Sequence, residues 1–132
     1  MKYFTIEELC KSDTAREREI DNTPSRAVVE NLEALVYNVL DPLREAYGKP
    51  IRVNSGYRSA RLNLVIGGAK NSQHMTGEAV DITTGTKEGN KWLFDYIFRN
   101  LPYDQLIDES NFSWVHVSFK NGDTNRQQTL RL

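Results

Sequence analysis

Seven apolar residues, Val29, Leu32, Leu35, Val36, Val39, Leu40 and Leu43, recur at three- and four-residue steps. That period is helical, and it lays a continuous apolar stripe along one face. A stripe of this length needs a broad apolar partner, so it constrains the whole chain. Thr23 is read as its cap, with Pro24 in the first turn, and Gly48-Lys49-Pro50 closes it. Pro42 lies inside the row and should kink or break it locally. Thr5 with Glu8 three residues on opens a short helix over about Ile6 to Lys11. Ser12 restarts the chain as a turn or second short helical piece. Arg61 to Val65 makes a helical turn, and Asn90 to Asn100 reads as a second substantial helix.

The partner for these helices is a sheet. Ile51 to Asn54, Glu78 to Ile82, Tyr103 to Asp108 and Trp114 to Phe119 read as strands, and the polar tail from Asn121 as an irregular end. Helices come first and strands later, so the fold class is α+β, with helices packed on one face of a small antiparallel sheet. The expected core holds Leu32, Leu35, Val36, Val39, Val53, Val80, Ile82, Ile97, Val115 and Val117.

The chain has two histidines, His74 and His116. His74 stands in Ser72-Gln73-His74-Met75-Thr76-Gly77-Glu78-Ala79-Val80-Asp81, and His116 in Trp114-Val115-His116-Val117-Ser118. Two imidazoles and a carboxylate form a ligand set that leaves a catalytic zinc one open position. On a single helix His74 and Asp81 would lie roughly 10 Å apart along the axis. Ligands at ~2 Å from one ion cannot be so distant. For the pair to share a metal the chain must turn back between them, which Gly77 permits. Beyond the turn the residues alternate: Val80 and Ile82 face one side, Asp81 the other. In the same way His116 projects opposite Val115 and Val117.

Composition narrows the options further. At 132 residues the chain is one domain, 1–132, large enough to bury a core without staples. A net charge of −1 gives no electrostatic case for nucleic acid or anionic lipid. The single cysteine, Cys10, has no internal partner and reads as a buried small hydrophobe. No apolar run approaches the ~20 residues of a membrane span, and the opening residues lack a secretory signal pattern. Arg58, in Ser55-Gly56-Tyr57-Arg58-Ser59, is either a solvated surface arginine or a fork that holds a carboxylate or oxyanion. Glu109 follows a strand and precedes His116 by seven residues; it is either an ordinary surface-loop glutamate or the acid best placed to reach a metal-bound water.

Ser55-Gly56-Tyr57-Arg58-Ser59, Asn63, Gly67-Gly68-Ala69, Ser72-x-His74-x-x-Gly77-x-Ala79-x-Asp81 and Trp114-Val115-His116-Val117-Ser118, read as a set, resemble the zinc D-Ala-D-Ala carboxypeptidase and murein endopeptidase family. That family shares its fold with the hedgehog signalling domain. The resemblance covers about residues 4–119 and is strongest to the small single-domain branch of bacteria and phages. It implies a peptidase with one zinc, held by His74, Asp81 and His116. It further implies that Arg58 stabilises the charged intermediate and that Ser72 lies near substrate. The implied substrates are the stem peptides of peptidoglycan, cut by a D-Ala-D-Ala carboxypeptidase or an L-Ala-D-Glu-type endopeptidase. Many members carry a Glu or Asp base three residues before the last histidine, where this chain has Ser113. Other branches of the fold place the carboxylate upstream, which assigns the base to Glu109, with Asp108 as the fallback. The alternative function is a zinc-stabilised binding module of the same fold without a working base. A monomer made in the cytoplasm, and released to the cell wall by a phage lysis system, is the expected setting.

Overall fold

The computed structural model describes residues Met1 to Leu132. Helices α1 (Ile6–Cys10) and α2 (Asp13–Glu17) are followed by α3 (Arg26–Leu35), a wide turn (Val36–Leu40) and α4 (Asp41–Tyr47). Then come β1 (Arg52–Ser55), α5 (Ala60–Val65), a tight 3₁₀ turn (Gln73–Thr76) and β2 (Ala79–Thr83). Helix α6 (Lys87–Asn100), β3 (Gln105–Glu109), β4 (Trp114–Ser118) and β5 (Gln128–Arg131) complete the chain. No helix is long and apolar enough to cross a membrane.

The strands form one sheet in the order β1-β2-β4-β3-β5. Its inward face carries Val80, Ile82, Leu106, Val115 and Val117, which pack against Leu32, Leu35, Val36 and Val39 of the long helical row and Leu93 and Ile97 of α6. The architecture is therefore α+β, with the apolar stripe meeting an apolar sheet face. Of the expected core, only Val53 is half-buried, because β1 is an edge strand with the sheet on one side alone. Cys10 is also half-buried, against the core rather than within it, and burial pushes its thiol up to about 11. A smaller cluster of Ala15, Ile20 and Leu62 ties α2 to α5.

Four details depart from the sequence reading. The cap of α3 is Ser25, whose Oγ accepts the Val28 N–H at 3.3 Å, not Thr23. Asp21 Oδ1 instead holds the Thr23 N–H in a local turn. Pro42 does not break the row. The preceding turn widens into a π-type step, with the Asp41 N–H bonded to Val36 O, so Pro42 enters at the start of α4, where a missing N–H costs least. The sheet is not wholly antiparallel, since β5 lies parallel to β3. Lastly, the polar tail is not irregular throughout, because Gln128–Arg131 forms that strand. Its side chains are mostly exposed, so no apolar alternation marks it, and backbone pairing alone draws it in.

Leu35 is fully buried between the helical row and the sheet. Leu35→Ala should lower unfolding free energy by ~2–5 kcal/mol. Chemical denaturation with an unchanged slope would register it as a loss of native stability. A loss below ~0.5 kcal/mol, the range of exposed sites, would contradict this packing.

Candidate metal centre

Antiparallel register places the sheet's outward residues in rows. Asp81 of β2 lies opposite His116 of β4, and His116 lies opposite Ile107 of β3. The third member, His74, comes from the tight turn before β2. Ser72 Oγ accepts the His74 N–H at 3.1 Å and starts that turn. Gly77 ends it at φ +77°, and a Cβ there would also sit 2.8 Å from Val28 O. The chain reverses at this point, so residues seven apart in sequence face each other in space.

The ligand atoms of His74, Asp81 and His116 all lie within 4.8 Å of one another. Asp81 sits between the imidazoles, with Oδ1 3.0 Å from His116 Nδ1 and Oδ2 3.4 Å from His74 Nε2. His74 Nδ1 lies 2.7 Å from Gly56 O, which only accepts, so Nδ1 carries the proton. Nε2 then either holds a second proton toward Asp81 or offers its lone pair to a cation. Burial opposes ionisation of Asp81, but hydrogen bonds from the His116 and His74 rings outweigh it and hold the carboxyl well below the usual range. An ionised, buried carboxylate flanked by two ring nitrogens is a donor set that suits a divalent ion such as zinc.

Arg58 is not a solvated surface arginine. Its Nε donates to Ser55 Oγ at 3.1 Å, its Nη1 to Asn63 Oδ1 at 3.2 Å, and its Nη2 lies 3.6 Å from Asp81 Oδ2. Gly68 makes room for this arrangement, since a Cβ there would meet Asn63 Oδ1 at 2.0 Å and Arg58 Nη1 at 2.9 Å. Burial lowers the Arg58 pKa, and the Asp81 charge works against that shift.

These groups line an open cleft of about 490 Å³ shared with Ser72, Gln73, Glu109 and Trp114. A larger concavity of about 610 Å³ beside β1 also touches Arg58 but holds none of His74, Asp81 and His116. Glu109 faces the cleft from the end of β3, paired with Trp114 two residues before His116. Burial, then the negative charge of Asp81, raise its pKa above the ordinary glutamate value, with the imidazoles opposing. Asp108 does not reach the cleft. Alternation turns it to the other face of β3, where Oδ1 accepts the Phe112 N–H at 2.6 Å and Oδ2 lies 3.5 Å from Arg131 Nε. The fallback base is thereby removed on geometry. Ser113 also lies outside the cleft, in the turn, with its Oγ on Ser110 O.

The site depends on residues to which the sequence reading gave no role in it. Asn22 donates to Cys10 O and Tyr57 O and accepts the Ser59 N–H at 2.7 Å, holding the Arg58 loop in place. Asn90 joins Thr83 and Thr84 to the carbonyls of Phe112 and Ser113, fixing the turn after Glu109. Asp104 is fully buried. Its Oδ2 accepts from Gln73 Nε2 at 3.0 Å and Arg126 Nη2 at 2.6 Å, and its Oδ1 accepts the Arg126 N–H at 2.8 Å. Asn and Asp in loops carry no periodic signature, so only their spatial partners reveal them.

Residues 2–118 match the family described as peptidase M15. The chain belongs to that family. It is also 49% identical over 49 residues to the zinc D-Ala-D-Ala carboxypeptidase of Streptomyces albus G. That similarity spans 36% of this chain and 19% of the relative's length. Family membership places the chain among peptidases and accords with its mixed helix-and-sheet fold.

Burial opposes ionisation of Asp104 too, yet the Arg126 and Gln73 hydrogen bonds lower its pKa from 3.8 to about 2. A depressed carboxyl stabilises the fold above its unfolded pKa and loses that contribution as pH falls through the folded value. Stability should therefore drop by about 2 kcal/mol from this group between roughly pH 5 and pH 2. Asp104→Asn should flatten that part of the stability–pH curve. An unchanged acid slope would show that Asp104 is not held this way.

Proposed function

We propose that this chain is a zinc metallopeptidase that hydrolyses peptide bonds in the stem peptides of bacterial peptidoglycan. One observation carries the reading: two imidazoles, a carboxylate, a guanidinium and a separate glutamate converge on a single open cleft of a peptidase-family fold. The similarity to a zinc D-Ala-D-Ala carboxypeptidase supports both the metal and the substrate class. The scissile bond is either the terminal D-Ala-D-Ala bond or an L-Ala-D-Glu-type bond of the same stem.

His74 offers Nε2, because its Nδ1 is committed to Gly56 O, and His116 offers Nδ1 beside Asp81. A zinc held there would supply Lewis acidity to the scissile carbonyl and lower the pKa of a water toward ~7. Glu109 takes the proton of the attacking water and delivers it to the leaving amine. Its environment raises its pKa above the ordinary glutamate value, and a positioned carboxylate can serve as base and then acid. Arg58, locked by Ser55 and Asn63, presents a fixed positive charge to the oxygen that becomes negative. Ser72 shapes the turn through its Oγ and borders the peptide from the cleft wall.

The binding-module reading draws on Ser113, which stands where many members of the family carry their base. A glutamate facing the same cleft from β3 supplies the missing carboxylate, and this favours the enzyme.

Elemental analysis should find about one zinc per chain, lost in His74→Ala, Asp81→Ala and His116→Ala. Full occupancy in all three variants would refute the site. Glu109→Gln should keep zinc and fold while hydrolysing purified peptidoglycan ~10²–10⁴-fold more slowly. Mass analysis of released fragments identifies the bond. A parent protein that binds zinc and cleaves no stem peptide would establish the binding module instead.

A further inference from the structure

The far end of the metal cleft carries a second cation that the mechanism above does not use. Arg126 lines the cleft, and its side chain is 47% exposed. It precedes β5, and Asp104 holds it from below. Its Nε lies 3.1 Å from both carboxylate oxygens, its Nη2 2.6 Å from Oδ2, and its backbone N–H 2.8 Å from Oδ1. The guanidinium is therefore fixed on one edge, while its Nη1 bonds to no protein atom. Lys120 Nζ also lies 3.9 Å from Asp104 Oδ1, so one buried carboxylate faces two cations. Arg58, by contrast, is matched by Asp81.

Gln73 adds a second and independent sign. Its Nε2 is committed to Asp104 Oδ2, which settles the amide's orientation, because the reverse would set two acceptors together. Its Oε1 is then buried without a hydrogen-bond partner, and it is the one such side-chain atom in the protein. Gln73 neighbours His74 and lines the same cleft. A buried acceptor without a donor marks a place completed by something else.

We propose that Arg126, with Gln73 beside it, forms a subsite that binds a carboxylate of the peptide in the metal cleft. The guanidinium's free Nη1 edge takes the carboxylate, and Gln73, held by the same Asp104, forms the neighbouring wall of the cleft. Asp104 positions both side chains without touching the peptide. The subsite rests on the peptide-substrate reading for its ligand class. It gives that reading a determinant of specificity: stem peptides carry carboxylates, both at the terminus and on side chains, and a neutral peptide would leave this end of the cleft unmatched.

Affinity is the readout, so the test stands apart from catalysis. Zinc-loaded Glu109→Gln protein, in which ligand stays intact, is titrated with N-acetyl-D-Ala-D-Ala and N-acetyl-L-Ala-D-Glu, each as free acid and as carboxamide. In at least one pair the free acid should bind about fivefold or more tightly, the scale of a partly exposed charged contact. In the Glu pair the α-carboxyl is amidated in both members and only the side-chain carboxyl is varied, so the pair that discriminates tells a terminal from a side-chain carboxylate. Adding Arg126→Gln should abolish the preference, and Arg126→Lys should retain part of it. The Arg126 Nε–H resonance should shift with the free acid and not with the amide. That measurement decides the matter should Arg126→Gln unfold. Equal affinity for acid and amide in both pairs, an unmoved resonance, or a preference that survives in folded Arg126→Gln would each overturn the subsite. Absence of hydrolysis by the parent protein would count against the peptidase reading and leave this comparison intact.

Discussion

The ionised carboxylate of Asp81 is the constraint around which the rest of the molecule is arranged. It sits on a central strand, nearly out of water, where an uncompensated charge would cost several kcal/mol. Three cationic or proton-bearing partners offset that cost, and each comes from a different element. Arg58 arrives from the loop after β1, His74 from the turn before β2, and His116 from β4. None of them is adjacent to Asp81 in sequence. The sheet register sets the His116 distance, Gly77 sets the His74 approach, and the Asn22 and Asn63 contacts hold Arg58. The fold is thus a means of gathering partners around one buried charge, and the same gathering makes a candidate metal site.

A second buried carboxylate, Asp104, does comparable work at the other end of the cleft. It is structural in its contacts, but those contacts reach both the turn beside His74 and the segment leading into β5. The tail and the metal loop are consequently joined through one side chain. A polar strand that buries little apolar area is held in place by this ion pair and by its backbone ladder with β3. The group that anchors the tail also holds one edge of the Arg126 guanidinium.

Much of this was legible in the chain itself. The three- and four-residue recurrence from Val29 to Leu43 specified a buried helix, and alternation about Val80–Ile82 and Val115–Val117 specified strands with one apolar face. Both patterns follow from burial, which acts on every residue of a periodic element and therefore leaves a repeated trace. Single hydrogen bonds leave none. Ser25 rather than Thr23 caps α3 because of where the chain enters the helix, and either hydroxyl is of a type that can accept a cap hydrogen bond. Asp108 and Glu109 are neighbours of like chemistry, and only the alternation of β3 sends one to the core side and the other to the cleft.

Residue types and their spacing determined the candidate donor set, since few side chains bind zinc and His74 and Asp81 can share an ion only if the chain reverses between them, which Gly77 permits. They also determined the layer architecture, because an apolar stripe and alternating strands can bury each other in few ways. The tertiary structure alone decided which polar groups share a cavity. Asp104 with Gln73 and Arg126, and Asn90 with the turn after Glu109, are separated by 20 residues or more in most of their contacts. Their partnership has no local signature, because a hydrogen bond depends on a few ångströms in space and is indifferent to distance along the chain.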